Sequence, residues 1–367
     1  MFFAALGFGS VYQPSLVHNS MSPDSFADLL SVYMRRIRAS ASGVATEIGL
    51  SREAVNNWRN GISVPNPRSR DKLVACTRYL RLTESEANRA VIRWCRGITG
   101  RKVLLVYNGC YHGAVDDVFV DLSGGVPELR RSLVGQVYDV REHTRVIEFN
   151  DLAALEAALA PGDIALLLME PAMTNVGMVL PDPGYLDAVR ELTTRHGTLL
   201  AFDETHTIST GYGGYCRVHG LQPDIFVVGK CVAGGLPTAV WGLSDETAKR
   251  YEEANAKRAP GHSGMGTTLS ANPLQFACLK ATLGEVMTAK NYAHMEKLAE
   301  RLSHGLAEVI ARHKAPWHVV RVGARVEFIC APGPLRNGTE AGHAHQPQAE
   351  AALHTALLNR GSLIAPF

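Results

Sequence analysis

The chain has 367 residues, of which 46% are hydrophobic and 20% charged, with a formal net charge of +2. That is an ordinary globular composition, long enough for two domains or for one large domain with a small attachment. No apolar run approaches the length needed to cross a bilayer, which excludes a helical membrane protein. The charge is uneven: Met21 to Leu82 carries ten Lys/Arg against five Asp/Glu, leaving the remainder slightly acidic. A basic first module on an acidic body hints at a polyanion partner for the first part alone. Seven scattered cysteines with no CxxC pair argue for reduced thiols in the cytoplasm, and against a disulfide framework or a metal site.

Residues 1–24 read as a leader, with disorder expected for a stretch whose first twenty residues hold no Lys, Arg, Asp or Glu. From residue 25 the pattern is helical. "SFADLLSVYMRRIRAS" places Phe26, Leu29, Leu30, Tyr33, Met34 and Ile37 on one face. "SGVATEIGL" follows, then a turn at Gly49, then "SREAVNNWRNG" opening on an N-cap serine. A further helix is expected in "SRDKLVACTRYLRL". Helix, Gly-containing turn and an Asn/Arg-rich second helix make the helix-turn-helix layout. Residues 25–82 resemble the Cro/C1-type (XRE-like) helix-turn-helix family at Ala45, Gly49, Leu50, Ser51, Val55, Trp58, Arg59 and Gly61. The resemblance implies double-stranded DNA as a partner, with Ser51, Arg52, Asn56 and Asn57 facing the major groove and Arg59 near a phosphate. A small helical bundle with a solvated basic face is the alternative.

After a junction helix at 83–100 the texture changes. "KVLLVYN", "DIALLLME", "TLLAFDE" and "DIFVVG" are short apolar runs of the kind buried on both faces of a sheet. Between them "DLAALEAALA" and "GYLDAVRELTTRHG" read as helices. The expectation is an α/β fold, a doubly wound and mostly parallel sheet over residues 101–310, followed at 311–367 by the start of a C-terminal small domain cut short. Ligands of such sheets bind beyond the carboxyl ends of the strands. Those ends carry Tyr111 and His112, Glu170, Asp203 with Glu204, and Lys230.

The stretches "YNGCYHGAVDD", "MEPAMTNVGMVLPDPGYL", "LLAFDETHT", "GKCVAGGLP" and "GTTLSANPLQ" occur in the order found in class III aminotransferases of fold type I. The chain resembles that family, and within it the glutamate-1-semialdehyde aminomutase branch. The resemblance implies pyridoxal 5'-phosphate as cofactor and a homodimer with shared sites. It makes Lys230 the Schiff-base lysine and proton shuttle, and sets Asp203 against the pyridine nitrogen. Tyr111 would stack on the ring and Ser85 would hold the phosphate, together with Thr268 of the neighbouring subunit. Glu170 and Asn175 would border an amino-acid or amino-aldehyde substrate. His112 and His206 are read as satisfied polar residues rather than catalysts.

In one respect the phosphate stretch departs from the family. Ser85, Glu86 and Ala87 match, but Glu84 stands where glycine is expected, a carboxylate beside a phosphate. The leading expectation is an aminotransferase or aminomutase fused to a DNA-binding module. The alternatives are a transcriptional regulator that uses the body as a cofactor or amino-acid sensor, and a degenerate inactive fusion.

Overall fold

A strand covered on both faces must be apolar along its whole length, and the charge-free runs of this chain form the middle of one sheet. The computed structural model describes Arg52, Asn56, Asn57, residues 84–258 and residues 272–364. Arg52, Asn56 and Asn57 lie in helical backbone, Arg52 exposed and both asparagines half-buried. The rest of the expected helix-turn-helix, including Ser51 and Arg59, is outside the described residues, as are the leader and Thr268.

The first described helix, α1 (Glu84–Thr99), leads into β1 (Val103–Tyr107), the hairpin β2 (Val120–Ser123) and β3 (Val126–Leu129), and β4 (Thr144–Ile147). Next come α2 (Leu152–Leu159), β5 (Ile164–Met169), α3 (Tyr185–Arg195), β6 (Leu199–Asp203), α4 (Gly214–His219), β7 (Ile225–Val228) and β8 (Val240–Leu243). The chain continues through α5 (Asp245–Ala256), α6 (Pro273–Ala281) and the long α7 (Ala289–His313). A second hairpin, β9 (His318–Val322) with β10 (Arg325–Ile329), precedes α8 (Gly338–Ala344) and α9 (Pro347–Leu358).

Six strands form the main sheet in the order β4-β1-β5-β6-β7-β8. The first five are parallel and β8 closes the edge antiparallel to β7. Alternate residues serve opposite cores, as the strand period of two requires. Leu105, Leu167, Leu200 and Phe202 meet Leu155, Leu159 and Val189 of α2 and α3. Leu104, Leu166, Leu168, Ala201 and Val227 meet Ala87, Val91, Ile92 and Cys95 of α1. The junction helix is thus a layer of the sheet's own packing.

Two caps explain where helices start. Asp151 accepts from the Ala154 N–H ahead of α2, and Asn272 with Gln275 forms a capping box at α6. The β9–β10 hairpin docks through its turn. Ala324 N–H donates to Thr210 O at 2.9 Å, and a Cβ on Gly323 would lie 1.6 Å from that same oxygen. Only glycine permits that approach.

Leu167 is fully buried at the centre of β5, between the two helical layers. Leu167→Ala is expected to lower stability by about 2–5 kcal/mol through lost burial and a residual cavity. Urea denaturation of the full chain followed by circular dichroism measures it.

Candidate functional site

Because β1, β5, β6 and β7 run parallel, their carboxyl ends open on one edge. Phe202 pairs with Phe226 and Asp203 with Val227, so the chain leaves β6 and β7 nearly level. That brings Asp203 and the Lys230 turn side by side. The N-terminus of α1 reaches the same edge and adds Glu84, Ser85 and Asn88.

Asp203 is 1% exposed. One of its oxygens, Oδ2, accepts from Asn88 Nδ2 at 2.9 Å and lies 2.9 Å from His112 Nδ1. The other, Oδ1, accepts from the Thr205 N–H at 3.1 Å. Burial alone would favour the neutral acid, but the His112 contact, supported by Thr205 and Asn88, outweighs it. The Asp203 carboxyl is held well below the usual range, and the His112 imidazole is raised well above its own. The pair is therefore a carboxylate facing an imidazole that keeps its Nδ1 proton.

Lys230 opens the turn after β7 with φ of 50°, a left-handed conformation that costs a residue with a Cβ of order 1–3 kcal/mol. Its side chain is 45% exposed, and Nζ donates to Glu84 Oε2 at 2.7 Å. Glu84 itself is largely buried. Burial first, and then the negative charge of Asp203, push its carboxyl pKa up, while Lys230 pulls it down. Lysine and glutamate are 146 residues apart in the chain and meet only through the fold.

A second polar cluster follows β5. Thr174 donates its hydroxyl to Glu170 Oε2, and its oxygen lies 2.8 Å from His206 Nδ1. Glu170 and Thr174 are buried, and Asn175, next in the chain, is exposed. The Met173–Val179 bridge holds this loop as a tight hairpin. Tyr111 is 37% exposed, its ring stacked at 6.5 Å on Phe119. Ser85 Oγ accepts from the Ala114 N–H at 2.8 Å, which docks the loop after β1 on the start of α1. A Cβ on Gly113 would sit 2.4 Å from that hydroxyl, and its φ of 81° suits glycine.

Of the residues singled out from sequence, Lys230, Asp203, Tyr111, Ser85 and Glu170 stand at the strand-end edge. Asn175 lies on the surface beside Glu170. Three residues join them. His112 is the direct partner of Asp203 through Nδ1, which gives it a positioning role, but its buried Nε2 has no partner among the described residues, so the reading as a satisfied polar residue holds for one ring nitrogen only. Asn88 was not anticipated. The available signal was an asparagine on the otherwise apolar face of α1, where only a buried partner justifies it. Glu84 was marked as out of place, but its partnership with Lys230 was not.

Residues 72–334 match the family model of class-III aminotransferases. The chain belongs to the class-III aminotransferase family. It is 35% identical over 286 residues to a glutamate-1-semialdehyde 2,1-aminomutase of Anaeromyxobacter sp. (strain Fw109-5), a match covering 77% of this chain and 65% of that relative's length. A crystal structure of a glutamate-1-semialdehyde aminomutase from Pseudomonas aeruginosa PAO1 superposes with a TM-score of 0.75 at 41% identity, covering 91% of this chain and 77% of that one. A variant of the Pseudomonas enzyme solved in complex with PMP gives the same TM-score and identity over 93% of this chain and 77% of that one.

The residues present suit a pyridoxal-type group. Asp203 receives three donors where a carboxylate takes about four, so one acceptor position is left for a ring N–H. Among the described residues Thr205 Oγ1 and Glu170 Oε1 are buried polar atoms with no partner. Lys230 supplies a primary amine at the same rim. The one discordant group is the Glu84 carboxylate.

A carboxylate held below its unfolded pKa contributes stability above that unfolded value, near 3.9, and loses it as pH falls toward the folded one. Asp203→Asn should therefore lower the thermal midpoint at neutral pH, the gap from wild type narrowing below about pH 4. Thermal melts of both proteins across that range test the assignment.

Proposed function

We propose that the protein is a pyridoxal 5'-phosphate-dependent aminotransferase or aminomutase acting on an amino-acid or amino-aldehyde substrate. The observation that carries this reading is the convergence of the Lys230 amine and the His112-bound Asp203 carboxylate on one rim of a parallel sheet. The family membership supports it. Bound there, the cofactor supplies an aldehyde to Lys230 and a pyridinium ring that draws electrons away from the substrate carbon.

The chain's own residues divide the remaining work. Asp203 holds a proton on the ring nitrogen, because an ionised buried carboxylate favours a cation opposite it. His112 and Asn88 fix its orientation and keep it charged. Ser85 and the first turn of α1 offer the phosphate a helix N-terminus, where the dipole favours an anion. In the family reading Tyr111 would stack on the ring, and Thr268 would contact the phosphate from a second copy in a homodimer. Lys230, once its Nζ is neutral, takes and returns the proton at the substrate carbon. Glu170, oriented by Thr174 and His206, lines the substrate side with Asn175.

The same reading joins this body to a DNA-binding segment at residues 25–82, with Ser51, Arg52, Asn56, Asn57 and Arg59 toward DNA, in a cytoplasmic protein. Among the described residues no helix is long and apolar enough to cross a membrane. One observation favours a second reading, the cofactor or amino-acid sensor: Lys230 is engaged by Glu84 rather than free to react.

Purified full-length protein incubated with pyridoxal phosphate is expected to acquire a visible band that survives desalting. The band should be absent in Lys230→Ala. Amino acids added to the loaded protein should shift it and release the corresponding keto acid. A shift without product supports the sensor, and no band in the wild type under saturating cofactor removes the catalytic reading.

A further inference from the structure

Glu84 is the residue of the rim that neither the cofactor nor the substrate chemistry uses. It is the first residue of α1, its side chain is 10% exposed, and its Oε2 stands 2.7 Å from Lys230 Nζ. The surroundings explain why it reaches there. Asp203 and Glu84 are two carboxylates at one buried corner, and His112 and Lys230 are the cationic groups that face them. His112 is committed to Asp203 by a 2.9 Å contact. That leaves Lys230 as the partner which makes a charged Glu84 tolerable at this depth.

The pairing has a chemical consequence for the lysine. To condense with an aldehyde, Nζ must lose a proton, attack the carbonyl carbon with its lone pair, and release water. An Nζ that donates to Glu84 at 2.7 Å is already engaged, and it must give up that contact before it can attack. The consequence for an anion is additive. A helix N-terminus draws a phosphate through its dipole and unsatisfied N–H groups, and here the first residue of α1 places a carboxylate of its own at that terminus.

We propose that Glu84 is an internal inhibitor of the site: its carboxylate occupies Lys230 and the approach to the α1 N-terminus, so that pyridoxal phosphate binds only when Glu84 is displaced. The inference rests on the cofactor reading and concerns the affinity of the apoprotein, a property separate from turnover.

The test is a titration of cofactor-stripped, full-length protein with pyridoxal phosphate, read by visible absorbance and by the mass of the Lys230 peptide after borohydride reduction. Wild type is compared with Glu84→Gln, which keeps the shape and removes the charge, and Glu84→Gly. Loss of one charge-assisted hydrogen bond predicts a dissociation constant lower by about 10- to 100-fold in both variants. Adding Lys230→Ala to either must abolish the covalent adduct. Equal affinity in wild type and Glu84→Gln, or weaker loading in both variants, overturns the inhibitor role and leaves the cofactor reading intact. If wild type and both variants all fail to form the adduct, the cofactor reading falls, and the inference falls with it.

Discussion

A carboxylate stripped of water is stable as an ion only if its surroundings replace the lost hydration, and Asp203 shows what that demands of a fold. Its three donors come from different places: Asn88 from α1, His112 from the loop after β1, and Thr205 from the turn that follows β6. Satisfying one side chain therefore requires a helix, a loop and a strand end to meet at a single point. The two cores on either face of the sheet supply the rigidity for that meeting. Asn88 stays in place because Ala87, Val91 and Ile92 beside it are buried against Leu104, Leu166 and Leu168. Packing and electrostatics are in this sense one constraint.

The other half of the rim is built on the opposite principle. Lys230 and Tyr111 are substantially exposed, and Lys230 sits in a strained left-handed conformation at the start of its turn. Strain of order 1–3 kcal/mol persists only where neighbouring structure enforces it. Here β7, paired on both sides, ends two residues earlier, and Val232 and Ala233 are buried just after the lysine. The backbone on either side is anchored while the side chain remains free to change partners. A buried carboxylate held by three donors beside an exposed, re-pairable amine separates holding from reacting.

The layered fold was legible because the four central strands β1, β5, β6 and β7 announce themselves locally, whereas β4, β8 and the two hairpins do not. Within "DIALLLME" and "TLLAFDE" the stretches 164–169 and 199–202 are uncharged runs suited to a sheet covered on both faces, and β5 and β6 are buried at every residue. Lys230 and Asp203 were legible for the same reason, as polar residues directly beyond such runs. Asn88, His112 and Glu84 were less so because their roles are pairings between distant segments: Asn88 and Asp203 lie 115 residues apart, Glu84 and Lys230 146. No periodicity carries that information. Glu84 was conspicuous as a misplaced charge, but its counter-ion is set by how α1 lies on the sheet. The helix-turn-helix stands apart, since of its expected DNA-facing residues only Arg52, Asn56 and Asn57 are described, all three in helical backbone.

Charge balance at the rim ties these parts together. Asp203 and Glu84 on one side and His112 and Lys230 on the other form a neutral set when all four are ionised, with the first three largely buried and Lys230 open to solvent. Drawing Lys230 into another partnership leaves Glu84 facing Asp203 with only the His112 charge to offset it. The Glu84 carboxyl, already pushed up by burial and by Asp203, then favours leaving the corner. A dianionic ligand arriving at the α1 N-terminus imposes the same demand from the other side. Engagement of Lys230 by a ligand and departure of the Glu84 charge are thus linked events. Glycine at this position would remove the linkage, and glutamate makes the reactivity of Lys230 depend on where one carboxylate points.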